Sequence, residues 1–146
     1  MNQKEKGIKE IRTLFSDQPL AVLATHHKGQ PHTSLIGFAA TKDLKKIIFV
    51  TKRSTHKFNN LMENPEVSLL IDNRSNEAED FQTAEAVTVY GRARETSKQK
   101  YLVDMYAKKH PYLKEFMTSS DSALIEVIVN RFSLVSQFQK VQKIIP

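Results

Sequence analysis

Hydrophobic positions along the chain change period several times, and each change marks an element. Ile8, Ile11, Leu14 and Phe15 recur at spacings of three and four, which predicts an amphipathic helix over Lys4 to Phe15. After Pro19 the apolar run Leu20 to Thr25, the glycine-containing turn His27 to Pro31 and the extended run His32 to Ala40 read as a β-hairpin. Thr41 to Lys46 is a polar turn before a third strand, Ile47 to Thr51. Ser54 is then a suitable N-cap for a short helix whose apolar face is Phe58, Leu61 and Met62, closed by Asn64-Pro65. Glu66 to Asp72 forms the next strand, Asn73 to Thr83 a polar, acidic loop, and Ala86 to Arg94 an alternating, half-buried strand. Thr96-Ser97 caps a helix that runs through Tyr101, Leu102, Met105 and Tyr106 to His110, with a second short helix over Tyr112 to Met117. Ala123 to Val129 and Phe132 to Phe138 close the chain as a strand pair around Asn130-Arg131.

About seven strands and three or four helices result, without a repeat or linker that divides them. Short turns and interposed helices, in place of strict β-α alternation, predict a mainly β, antiparallel sheet curled into a barrel that hides its edges. With 146 residues and 40% hydrophobic content, the chain can bury the core of a single domain, residues 1–146, without disulfides.

Composition then narrows the chemistry. The chain has no cysteine, so thiolate catalysis, disulfides and cysteine-ligated metals are excluded, and a reducing, cytoplasmic setting is expected. The polar start and the lack of any long apolar run predict no membrane span. A net charge of +6 favours anionic partners. The five histidines do not form a metal motif: His26 and His27 would point to opposite faces of a strand, and His32, His56 and His110 have no ligand spacing. No serine elbow or nucleotide-hydrolase phosphate loop is present.

Phe49 to Lys57 carries the strongest local signal, because a strand ends there, two cations follow, and a capped helix begins with Lys57 in its first turn. Free amides and the positive end of the helix dipole favour an anion at such a junction, and a bound phosphate would offset the unfavourable placement of Lys57. The same residues also suit a solvated basic loop. Gly37, inside a strand, marks either the close approach of a flat ligand or a bulge.

Taken in order, Gly29-Gln30-Pro31-His32, Phe49-Val50-Thr51, Ser54-Thr55-His56-Lys57, Asn64 to Leu70 and Val89 to Ala93 resemble the pyridoxamine phosphate oxidase-like FMN-binding split-barrel family. Arg131 to Phe138 is similar to the closing strand of its shorter members. The resemblance implies a six-stranded antiparallel split barrel, a homodimer with FMN in the clefts between subunits, and an FMN-dependent oxidoreductase. It places the isoalloxazine ring against Thr33, Ser34, Leu35, Ile36 and Gly37. It places the phosphate among Val50, Thr51, Lys52, Arg53, Ser54, Thr55, His56 and Lys57. The vitamin-oxidising members carry an FMN-contacting arginine and lysine where this chain has Ser34 and Ala39, and a tryptophan-bearing terminal segment that it lacks. A substrate other than pyridoxamine phosphate is therefore expected. A split barrel can also hold haem or a deazaflavin, and a basic barrel can bind single-stranded nucleic acid. Only 8% of residues are aromatic, and Phe15, Phe58, Tyr101 and Tyr106 fall on helix faces expected to be buried, which argues against the nucleic-acid reading.

Overall fold

The computed structural model describes residues 1–137 and 139–146; the expected end of the last strand at Phe138 lies outside the described residues. Helix α1 (Gln3–Asp17) starts on a reciprocal cap, in which the Asn2 side chain accepts the Glu5 N–H at 2.8 Å and the Glu5 carboxylate accepts the Asn2 N–H. Strands β1 (Leu20–His27) and β2 (Gln30–Gly37) form a hairpin whose two turn residues, Lys28 and Gly29, both have positive φ. That turn matches the right-handed twist of the strands it joins. The two-residue β3 (Ala39–Ala40) pairs with β4 (Lys46–Lys52), which leads into α2 (His56–Glu63) and then β5 (Glu66–Asp72).

The acidic loop contains a short helix, α3 (Asp80–Thr83), and the Asp80 carboxylate accepts N–H groups from Ser75, Asn76 and Glu77. Strand β6 (Ala86–Thr96) is followed by α4 (Lys100–Lys109), a 3-10 turn at Pro111–Leu113, and α5 (Lys114–Thr118). Strands β7 (Ser122–Ser136) and β8 (Lys140–Ile144) complete the chain.

All pairings are antiparallel, and the strand order is β2-β1-β5-β6-β7-β4-β3 with β8 added beside β7. The six longer strands of that path, β1, β2 and β4 to β7, form the expected antiparallel barrel wall; β3 and β8 are short additions. The sheet curls until β2, at one end, comes against β4 near the other. Inside the curl lies the main core, built from Leu23, Ile36, Phe38, Phe49, Leu69, Val89, Ile125 and Phe132 and closed by Ile11, Leu14 and Phe15 of α1. A second apolar layer forms outside, where Leu102 and Tyr106 of α4 and Met117 of α5 cover Ile48, Val50 and Leu124. Among the described residues, no helix is long and apolar enough to cross a membrane.

Five departures from expectation need correction. Asn130-Arg131 is not a turn: β7 runs through it, and the register against β6 jumps from Tyr90↔Arg131 to Gly91↔Val129. This β-bulge takes up Asn130 and shifts the inward set from Ile125, Val127 and Val129 to Phe132 and Leu134, so one strand reads as two. β8 was not expected, because Ile144 is its single buried residue. Thr55, not Ser54, caps α2, and α4 begins after Gln99 without a side-chain cap, since Thr96 is still paired with Leu124 in the sheet. Tyr101 is 58% exposed, whereas Tyr106, five residues on, is buried.

Candidate functional site

The seam where β2 meets β4 leaves an open cleft of about 330 Å³, with α2 beginning at one end and the α4–α5 layer forming the far wall. Of the thirteen residues expected at the site, eight line it: Leu35, Ile36 and Gly37 of β2, and Val50, Thr51, Lys52, Thr55 and Lys57 around the β4–α2 junction. Thr33, Ser34, Arg53, Ser54 and His56 do not.

Strand alternation explains the pattern on β2. Ser34 pairs with Leu23 and Ile36 with Ala21, so both side chains turn toward the core, while Thr33, Leu35 and Gly37 belong to the outer set. Leu35 is consequently 65% exposed, and Ile36 contributes a wall of the cleft from its buried position. Ser34 Oγ is buried without a hydrogen-bond partner.

At the β4–α2 junction the hydroxyls are used to build the turn. Thr55 Oγ1 accepts the Phe58 N–H, donates to the Lys52 carbonyl at 2.9 Å, and lies 2.9 Å from Thr51 Oγ1. This arrangement leaves the His56 and Lys57 N–H groups at the helix start without partners among the described residues. Lys57 is half-buried, and no carboxylate of the described residues lies within ion-pair distance of it. Burial without a counter-ion holds its ammonium below the ordinary lysine range. Lys52 is exposed beside it. Arg53 turns away: its guanidinium bonds Glu95 at 2.6 Å and sits 5.8 Å from the Phe58 ring centre. His56 stacks loosely toward His32, with ring centres 6.1 Å apart, on the edge of α2 and not in the cleft. Among the described residues, no cluster of histidine and carboxylate side chains could hold a metal.

The far wall was not legible as part of a site. Tyr106, Leu113 and Phe116 line the cleft, although their spacing announced only a helix core. Tyr106 Oη donates to the Gly37 carbonyl at 2.9 Å, and burial pushes its phenol up to about 12, so it remains a neutral donor at ordinary pH. A Cβ added at Gly37 would lie 3.3 Å from His110 Cε1 and 3.4 Å from Tyr106 Oη. Gly37 is thus a place of close approach, and its near neighbours are Tyr106 of α4 and His110 just after that helix. His110 is fully buried, with Nε2 2.8 Å from the Phe38 carbonyl and Nδ1 unpartnered.

The cleft therefore has two chemically distinct ends. One offers unspent helix amides and two lysines, a setting for an anion. The other is an apolar slot between Leu35, Val50 and Phe116, bordered by the end strand β2, one edge of which lacks a neighbouring strand among the described residues. A flat heterocycle bearing a phosphate fits both ends.

Known structures share this architecture. The chain superposes on General Stress Protein 26 from Bacillus anthracis with a TM-score of 0.75 and 19% identity, each chain being covered in full (100%). It matches an FAD-binding protein from Mesorhizobium loti with a TM-score of 0.70 and 16% identity, over 87% of this chain and 90% of that one. It also matches a haem-binding protein from Mycobacterium smegmatis with a TM-score of 0.81 and 19% identity, over 93% of this chain and 56% of that one. At these identities the likeness is one of fold. No curated protein matches the chain. The family model described as pyridoxamine 5'-phosphate oxidase matches residues 8–136, and with the curled antiparallel sheet and its seam cleft this establishes that the chain belongs to the pyridoxamine 5'-phosphate oxidase family of split barrels.

Proposed function

We propose that this protein is an FMN-binding flavoprotein, an oxidoreductase that holds its cofactor in the β2–β4 cleft. The observation that carries the reading is the half-buried, unpaired Lys57 beside two unspent amides at the start of α2, next to an apolar slot. Those groups bind a phosphate, and Leu35, Val50 and Phe116 take a flat ring. Bound flavin supplies hydride or electron transfer, and the protein supplies orientation and positive charge. The phenol of Tyr106 holds the β2 end in place through the Gly37 carbonyl.

The cleft sits at the small end of the range for sites that enclose a ligand, about 300–1,000 Å³. It covers one side of a flavin and leaves the other open. Beside its mouth, Leu35, Val22 and Leu70 form a cross-strand apolar row, with Leu20 nearby and 47% exposed. A second copy of the chain packed on this row completes the site, making the functional unit a homodimer. Leu35→Asp tests the arrangement, since it should yield monomers that lose flavin. Monomers that keep it would contradict a shared site.

The cysteine-free sequence suits the cytoplasm, where we place the protein. The experiment that tests the cofactor is an absorption spectrum of purified protein, followed by titration with FMN read by flavin fluorescence. Saturable binding near one FMN per chain is expected. A haem-like spectrum with no flavin binding would favour haem, a reading motivated by the haem-binding relative from Mycobacterium smegmatis.

A further inference from the structure

A second hollow lies on the other side of α4, between that helix, α1 and the β3–β4 turn, with a volume of about 520 Å³. We propose that it binds a small anionic amphiphile, a carboxylate carrying an apolar tail. Its floor is apolar: Phe15 from α1, Ala39 from β3, Leu44 from the turn and Met105 from α4. Its other lining includes four cations from three separate elements, Arg12, Lys42, Lys108 and Lys109, and no carboxylate.

None of the four cations at this hollow reaches an acidic partner among the described residues. Arg12 donates through Nη1 to the Lys42 carbonyl, which ties the turn to α1 and leaves most of its donor fork unspent. Lys109 Nζ lies 3.6 Å from the Phe38 ring centre and donates one N–H to the Phe15 carbonyl at 2.7 Å. Its other two N–H groups have no acceptor among the described residues. Burial pushes this ammonium down to about 8, and an anion alongside would reverse the penalty.

Both halves of the ligand are needed. A bare inorganic anion would satisfy the cations and leave the floor wetted, whereas a neutral apolar molecule would leave the cations unanswered. The hollow is independent of the flavin cleft: α4 stands between them, with Tyr106 on one side and Met105, Lys108 and Lys109 on the other.

Calorimetric titration of the full chain with decanoate, with and without added FMN, tests the proposal. Saturable binding of one decanoate per chain is expected in both cases. Lys109→Met and Ala40→Leu, the first removing a charge and the second filling the hollow, should each weaken it about tenfold or more. Arg12→Met serves the same purpose if Lys109→Met proves unfolded by circular dichroism. No saturable binding to the unaltered chain, equal affinity in the folded variants, equal affinity for decyltrimethylammonium, or equally strong competition by inorganic phosphate would overturn the proposal. So would binding to phosphatidylglycerol vesicles without binding to free decanoate.

Discussion

Replacing Lys57 by methionine keeps the aliphatic stem and removes the charge, so its effects on folding and on cofactor binding should have opposite signs. In the protein without flavin, the ammonium is half-buried, unpaired, and placed in the first turn of α2 against the helix dipole. Relieving that placement is worth about 0.3 to 1 kcal/mol at a helix end. For a chain of this length such a gain corresponds to a rise in Tm of about 1 to 4 °C. In the complex, the same substitution removes a charge-assisted bond to phosphate, which costs about 1 to 3 kcal/mol, or about 5- to 150-fold in Kd. Thermal melts of the flavin-free protein and fluorescence titrations with FMN read the two effects separately. A variant whose Tm falls while its affinity for FMN is unchanged would refute the reasoning, because Lys57 would then serve the fold and not the anion.

Further outcomes can be checked on the fold itself. Glu126 is 3% exposed and is held by Arg94 Nε at 2.6 Å and Lys46 Nζ at 3.3 Å. Both cations keep access to water, so Glu126→Gln should cost about 1 to 3 kcal/mol in urea denaturation, below the loss for a fully enclosed pair; an unchanged midpoint would show the pair to be energetically idle. Gly91→Ala should destabilise by about 1 to 3 kcal/mol, because the new Cβ would fall 2.5 Å from the Ile128 carbonyl oxygen, and stability equal to the parent would mean that the bulge gives way. Lys109 should also give stability a pH dependence. Its pKa falls from 10.5 to about 8 on folding, so the unfolded chain binds more protons between those values and this residue makes stability rise with pH across that window. Below about pH 8 the penalty is present in full. Denaturation between pH 7.5 and 9.5 (about the lower part of the window) stays clear of Tyr106, whose raised pKa acts in the opposite sense above 10. Lys109→Met should flatten the rise, and identical pH profiles would remove Lys109 as its source.

Much of this molecule is legible wherever apolar spacing is regular. The β1–β2 hairpin, β4, α2 and β5 follow from local alternation and from glycine and proline punctuation, and the β4–α2 junction follows from its hydroxyls and cations, although Thr55 and not Ser54 is the cap. The long strand β7 was misread because the bulge at Asn130 changes the phase of the pattern midway, and a local reading cannot distinguish that from a turn. The cleft's far wall was missed for a different reason. Tyr106 and Phe116 show helix-core spacing, and their place beside the seam, where Tyr106 bonds the Gly37 carbonyl of β2, depends on how far the sheet curls. Arg53 shows the converse. Beside Lys52 and Lys57 in sequence, it is drawn away by Glu95, a residue more than forty positions distant.

The bulge also limits how this chain can change in length. Strand β7 contributes to the same core before and after Asn130, yet with odd-numbered residues on one side and even-numbered residues on the other. Asn130 is thus an extra residue absorbed by the bulge. Removing it would leave Val129, Phe132 and Leu134 alternating inward along one regular strand with Arg131 still opposite Tyr90, whereas gaining or losing a residue elsewhere within β7 would turn the core side chains of one half outward. Within β7, loss of a residue should therefore be tolerated at the bulge, at the expense of its local bend, before it is tolerated on either side of it.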